Sequence, residues 1–321
     1  MGIFNKSFSG VEWQLIYNPN ALGFRRLALW QSLETQLPKL SILYEKHIAS
    51  SGSDCRQLLC RLCQEGKRHF LIAGGDGTLN ESINGIFVSG IDTTEVFVAV
   101  IPIGTGNDWS RTHLYPETVT RNLETLGDGR FILHDIGVVE SVSDNKATEK
   151  CYFLNIAGFG FDAAVIDQTK GKKPARFPSL VYLLGLLKVL FSYKAKPAEL
   201  VCQEQHIKDK IYTIAVGIGQ YNGNGMRQVP MAVPNDGQLD VVAIRDLSKW
   251  KVMGNVKNLY AGTHIRLKEV THFQCNQLLI KGNGLLLGEV EGEMLPVGDY
   301  QINILPQAVH LLTFNQELLS K

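Results

Sequence analysis

Gly74-Gly75-Asp76-Gly77-Thr78 places a carboxylate inside a glycine-rich stretch, between four apolar residues and a helical pattern. Small residues let backbone N–H groups approach phosphate oxygens closely, and a following helix adds its positive end. A phosphate cradle of the GxxxxGK[ST] kind would supply a lysine, and the chain contains no such motif. Asp108 repeats the arrangement after "VFVAVIPIGTGN", beside Gly104 and Gly106, and Asp135 closes "RFILH". A carboxylate next to a polyphosphate is repulsive unless a cation lies between them, and magnesium prefers oxygen ligands. Asp76, Asp108 and Asp135 therefore predict magnesium-assisted phosphoryl transfer, the metal held directly or through water. A capping or turn role accounts for any one such aspartate. Three of them at predicted strand ends, two glycine-rich, point to a site. Thr78-Leu79-Asn80-Glu81 also fits a capping box, with Thr78 as N-cap, so a structural role for Thr78 and Glu81 stays open.

The elements that must carry these residues alternate. "VEWQLIYNPN", "LSILYEKH", "RHFLIAGG" and "EVFVAVIPIG" read as strands, with helical periodicity in "FRRLALWQSLETQLPKL", "CRQLLCRLCQEG" and "TLNESINGIF" between them. Such alternation predicts a parallel, doubly wound α/β sheet, whose ligands gather beyond the carboxyl ends of its strands. From about Val139 to Pro306 the chain becomes β-rich, and "QAVHLLTFN" closes it with a further strand. The expected division is an α/β domain over 1–138, to which 307–321 returns, and a β-rich second domain over 139–306.

The 321 residues are 45% hydrophobic with a formal net charge of +1, which supports sizeable cores and gives no global basic field for nucleic acid. Of six cysteines, Cys60 and Cys63 have CxxC spacing without a second pair. Cys55, Leu58, Leu59, Leu62 and Cys63 share one helical stripe, which reads as core. Scattered cysteines and the lack of a secretory signal pattern suit a cytoplasmic protein.

Beyond this chemistry, Gly74-Gly75-Asp76-Gly77-Thr78-x-Asn80-Glu81 followed by Pro102-x-Gly104-Thr105-Gly106-Asn107-Asp108-x-x-Arg111 resembles the diacylglycerol kinase catalytic-domain superfamily. That superfamily includes bacterial diacylglycerol and lipid kinases and the sphingosine and ceramide kinases. Asn18-Pro19, "FLNIAGFGFDAAV", "NDGQLDVVAI" and "GEVEGEML" extend the resemblance over nearly the whole chain. GGDGT alone is shared with NAD kinases; the PxGTxND that follows makes the pattern more specific. The resemblance implies a nucleotide domain similar to that of phosphofructokinase and NAD kinase, and a β-sandwich-like lipid domain. It places ATP against Asn18, Pro19, Gly23, Gly74, Gly75, Asp76, Gly77, Thr78, Asn80, Glu81, Gly104, Thr105 and Asn107, with magnesium at Asp76, Asp108 and Asp135. Glu293 corresponds to the general base. Asp236, with the carbonyls of Val233 and Gln238, corresponds to a structural magnesium site. Two residues depart from the pattern: Leu22 stands where a small residue is usual, and Glu291 replaces the aspartate of an Asp-Gly-Glu motif. Read from its own spacing, Glu289-x-Glu291-x-Glu293 is one strand face at a solvated edge.

The implied acceptor is a hydroxyl of a membrane lipid, diacylglycerol or a relative, and dimers occur in the family. Phe177 to Tyr193 is apolar almost all round and is flanked by Lys170, Lys172, Lys173, Arg176, Lys194 and Lys196. Residues 170–196 are thus either a core helix or a peripheral contact with an anionic membrane surface. Two further functions remain open: an NAD kinase-like enzyme with a soluble substrate, and a non-catalytic lipid-binding protein that keeps the fold.

Overall fold

The computed structural model describes residues 10–19, 33–40, 42–143, 146–147, 150–169, 188–203 and 205–319. Gly23 and Leu22 lie outside the described residues, as does most of the 170–196 segment.

Strands β1 (Glu12–Tyr17), β2 (Leu43–Ile48), β3 (His69–Gly74) and β4 (Phe97–Pro102) pair in parallel in the order β2-β1-β3-β4. The inner residues of β3 and β4 are apolar without alternation, because both faces are covered, whereas β2 lies at the exposed edge. Ile16, Phe70, Ile72, Val98 and Val100 enter one core, whereas Leu15, Leu71, Ala73, Ala99 and Ile101 enter another. The first core is closed by α1 (Gly52–Gln64) and α2 (Asp76–Val88). Cys55, Leu59, Leu62 and Cys63 of α1 are buried there, and burial pushes the thiols of Cys55 and Cys63 up to about 11, so neither is a ready metal ligand. Short helices α3 (Asp108–Thr112) and α4 (Val119–Thr125) follow β4.

The second half is antiparallel. Strand β5 (Arg130–Ser143) is followed by β6 (Lys146–Ala147) and β7 (Cys151–Phe153), both paired back onto it. Strand β8 (Ile156–Gly160) leads into α5 (Phe161–Thr169). Then come β9 (Lys196–Val201), β10 (His206–Gly217) and β11 (Leu239–Arg245). Helices α6 (Lys249–Gly254) and α7 (Val256–Ala261) intervene before β12 (Val270–Cys275) and β13 (Gln277–Lys281). The last strands are β14 (Gly288–Val290), β15 (Glu293–Met294) and β16 (Asp299–Thr313). Phe153, Phe159, Ile214, Val241, Ile280 and Tyr300 form a separate core among them. The expected combination of a doubly wound α/β part and a β-rich part is what the chain forms.

Strand β16 joins the two parts. It pairs in parallel with β4 at His310 and Leu311, and antiparallel with β5 and β13. Its ladder with β5 is broken by a bulge between Leu305 and Val309, where Gln307 adopts φ 49°. The bulge decides where Asp135 goes. Asp135 does not end its strand, and β5 is not the neighbour of β4, because β16 lies between them. Its carboxylate instead accepts the Gly237 and Gln307 N–H groups, each at 2.7 Å, which satisfies the amide the bulge frees.

Asn84 of α2 makes a second link. Its side chain donates to the Tyr152 carbonyl at 2.8 Å and accepts the Tyr152 N–H at 3.0 Å, standing in for a missing strand on β7. Asn84→Ala should leave both groups of Tyr152 unpartnered and lower stability by about 2 kcal/mol. Thermal melting checks this, and an unchanged midpoint would show the link to be idle.

Candidate active site

The two glycine loops meet backbone to backbone at the ends of β3 and β4. A Cβ on Gly104 would fall 2.5 Å from the Gly75 Cα, so neither position tolerates a side chain. Gly75 is the N-cap of α2 and its carbonyl accepts the Leu79 N–H, so the helix starts at Asp76. The capping box expected at Thr78 is therefore displaced: Thr78 lies in the first turn and accepts a hydrogen bond from Asn18 Nδ2 at 2.9 Å. Glu81 turns away to Arg56 of α1, in a two-pronged pair with contacts of 2.9 and 3.0 Å. Asn107, at φ 50°, donates its side-chain amide to the Gly104 carbonyl and holds the second loop closed.

These loops border a cleft of about 1000 Å³. Asn18, Gly75, Gly77, Thr78, Asn80, Glu81, Gly104 and Thr105 line it. Gly74 stands behind, where a Cβ would meet the Thr78 side chain at 2.4 Å. The opposite wall brings Lys150, Glu291 and Glu293, and Ser51 and Arg56 come from the start of α1. Ser51 and Arg56 carry no glycine signature that would mark them in the sequence; Ser51 caps α1 by accepting the Asp54 N–H.

Asp76 and Asp108 are brought together. Asp76 Oδ1 accepts the Trp109 N–H at 3.1 Å, and a Cβ on Gly106 would lie 3.0 Å from Asp76 Oδ2 and 3.7 Å from Asp108 Oδ2. Burial pushes the Asp76 carboxyl up, and the charge of Asp108 adds to the shift. Asp108 is buried yet accepts the N–H groups of Asn224 and Gly225 at 2.7 and 2.6 Å, with Arg111 Nε at 3.4 Å from Oδ1. The "YNGNG" turn that supplies those amides was a visible Asn-Gly signal, without any clue to its partner. Asp135 is held instead by Gly237 and Gln307; burial raises its carboxyl, and the charge it feels is that of Asp236. Asp236 is exposed, accepts the Gln238 N–H at 3.0 Å, and shares one loop with Val233.

The three glutamates do not share a strand face. Val290 of β14 pairs with Glu293 of β15, leaving Glu291-Gly292 as a two-residue turn with φ 51° and 88°. That is the type I′ geometry, which a Glu-Gly pair can encode and period-two counting hides. Each side chain consequently goes its own way. Glu293 is exposed at the cleft, while Glu289 is buried and accepts the Gly292 N–H at 2.8 Å. Glu291 accepts the Asn155 and Leu154 N–H groups at 2.7 and 3.3 Å. Burial raises the Glu291 carboxyl well above its ordinary value, and the nearby charge of Asp76 pushes it the same way. A left-handed glutamate costs about 1 kcal/mol or more, a strain that residues at sites often carry.

On the far side of this turn lies an apolar cavity of about 260 Å³. Phe161, Val165, Leu190, Val242 and Leu259 help to line it, and its wall reaches Asp162, Glu289 and Gly292. Asp162 hydrogen-bonds Thr213 Oγ1 at 3.1 Å and Gln228 Nε2 at 3.4 Å, yet burial pushes it up to about 6; burial pushes Glu289 up to about 8.

Magnesium suits this donor set. Asp76 and Asp108 offer hard oxygens, and Asp76 and Glu291 press like charges together in a buried place, which a cation would relieve. Among the described residues, no three His, Cys, Asp or Glu side chains stand close enough to hold a metal by themselves. Phosphate and water would have to complete the shell, as is common for magnesium.

Residues 12–139 match the family described as diacylglycerol kinase catalytic domain, and residues 155–313 match the YegS C-terminal NAD kinase beta sandwich-like domain. The chain is 23% identical to a putative lipid kinase, YtlR, of Bacillus subtilis, over 94% of this chain and 99% of that protein. It is 26% identical to a diacylglycerol kinase of Mycobacterium tuberculosis, over 83% of each. The crystal structure of a putative diacylglycerol kinase from Bacillus anthracis shares the fold, with a TM-score of 0.76, 19% identity and 96% of each chain covered.

Glu289 generates a pH dependence. Folded, it keeps its proton up to about pH 8; unfolded, it ionises near 4.5. Between those values unfolding releases a proton, so rising pH costs stability, at most about 1.4 kcal/mol per unit. Glu289→Gln removes the effect. Melting points of variant and wild type should diverge in the variant's favour as pH rises across that window, and a gap that does not change with pH would contradict the assignment.

Proposed function

The chain belongs to the diacylglycerol kinase catalytic-domain superfamily, and from that premise we propose a lipid kinase that moves the terminal phosphoryl group of ATP to a lipid hydroxyl. The acceptor is diacylglycerol or a related membrane lipid, and the reaction uses magnesium. One observation carries this reading. The Glu291-Gly292 turn walls both the polar cleft beside the glycine loops and the apolar cavity behind it. Donor and acceptor of opposite polarity could thus meet across two residues.

Each residue then has a task. The amides of Gly75, Gly77, Gly104 and Thr105 receive the phosphates, and Asn18 fixes Thr78 at their edge. Asp76 and Asp108, with Glu291, would hold magnesium, which draws off negative charge from the transferring group. Glu293, lining the cleft, takes the hydroxyl proton. Asp135 supports the site from behind, fixing β5 against β16 and the 234–237 loop. Asp236, with the carbonyls of Val233 and Gln238, is proposed for a second, structural magnesium. We further propose that residues 1–138 with 307–321 form the nucleotide part and 139–306 the lipid part, the break falling near the bulge in β16.

No helix of the described residues is long and apolar enough to cross a membrane.

Labelled ATP incubated with diacylglycerol, phosphatidylglycerol, sphingoid bases, ceramide and NAD tests the assignment. Label should appear in a lipid; label in NAD alone would overturn it. Asp76→Asn should lower turnover at least about a hundredfold with the fold intact, and Glu293→Gln by a similar factor. Near-normal turnover in Asp76→Asn would sink the assignment of the metal site.

A further inference from the structure

Residues 247–268 carry Lys249, Lys251, Lys257, Arg266 and Lys268 and no aspartate or glutamate. Within them, α6 and α7 turn large apolar side chains outward at helical spacing: Trp250 is 74% exposed, Met253 41%, Val256 45% and Tyr260 50%. Phe191, itself 47% exposed, meets Trp250 edge to face at 6.4 Å, and Lys249 Nζ sits 5.9 Å from the Phe191 ring centroid. Single exposed apolar residues need no explanation, but a contiguous apolar face ringed by cations does. A further cavity of about 450 Å³ adjoins it, lined by Lys194, Lys210, Lys249 and Trp250, with Asp246 as the one acid in its wall. Among the described residues, none of these three lysines has an ion-pair partner.

We propose that this face, centred on Trp250 and bordered by Lys194, Lys210 and Lys249, is the surface by which the protein docks on an anionic bilayer. The inference rests on the lipid-kinase reading and adds the element that meets the membrane. It shares Phe191 and Lys194 with the 170–196 segment and adds α6 and α7 to it. Charge complementarity selects the occupant: lysines with no ion-pair partner among the described residues fit lipid phosphates, and an indole settles at the boundary between headgroups and acyl chains. Continuity selects it again. Val252, Val256 and Tyr260 of the same two helices line the apolar cavity, so a bilayer seated on their outer side would face its mouth. An acyl chain could enter without crossing water.

The test uses the full chain with vesicles of phosphatidylcholine alone, or of phosphatidylcholine with phosphatidylglycerol. Wild type should sediment with the anionic vesicles and weakly with the neutral ones, and lose binding as salt rises. Its tryptophan emission should shift to the blue and be quenched by brominated acyl chains, both changes vanishing in Trp250→Ser. Trp250→Ser and the triple Lys194→Glu, Lys210→Glu, Lys249→Glu variant should each lower partitioning about tenfold or more. Both should keep phosphoryl transfer to short-chain diacylglycerol dispersed in detergent. Anionic-vesicle binding that is absent in wild type, or equal in all three proteins, would overturn the proposal. So would a dimer that Trp250→Ser splits while vesicle binding persists, which would assign the face to a second copy. Absence of transfer in detergent, with vesicle binding intact, would count against the kinase reading alone.

Discussion

Negative charge is gathered at the centre of this protein, where Arg111 offsets Asp108 in part while Asp76 and Glu291 are met by backbone amides. Asp76 sits in the first turn of α2, Asp108 in the first turn of α3, and Glu291 faces them from a hairpin of the second part. Helix ends and backbone amides soften the cost: Trp109 serves Asp76, Asn224 and Gly225 serve Asp108, and Asn155 serves Glu291. They do not remove it, since burial and mutual repulsion still push Asp76 and Glu291 up. A site in that state is poised for a cation brought in with phosphate. The proposed chemistry and the electrostatic problem have one solution.

Much of the remaining architecture keeps these groups where they are. The contact between Gly75 and Gly104 locks the two loops, and the β14–β15 hairpin brings Glu291 across from the second part. Strand β16 runs through both parts, and Asp135 of β5 and Asn84 of α2 hold it and β7 in place. The apolar cavity ends at Gly292, so its position relative to the acids is set by the same turn.

The sequence made the first part legible because each signal was local. Unbroken apolar strands, a helical stripe in α1 and glycine between strand and helix each follow from spacing within a few residues. Asp76 and Asp108 emerged for that reason. Asp135 looked equivalent, yet a bulge in a strand far along the chain claims its carboxylate, and no local pattern reports a partner at Gln307. Glu81, left open by its spacing between a cap and a nucleotide contact, is bound to Arg56, a partner on another helix. The Glu289–Glu293 run misled by its period, since a Glu-Gly turn converts alternation into three separate environments. The settings of Asp162 and Glu289 are not legible, because β10 brings Thr213 to Asp162 and the Glu-Gly turn brings the Gly292 N–H to Glu289.

The central claim is that the acids at Asp76 require a cation before the phosphate loops can be used. Calorimetric titration of ATP, with and without magnesium, tests it most directly. ATP alone should bind weakly to the wild type and at least about tenfold more tightly with magnesium, and Asp76→Asn should bring the two affinities together. Equal affinity of the wild type for ATP in the presence and absence of magnesium would contradict the account.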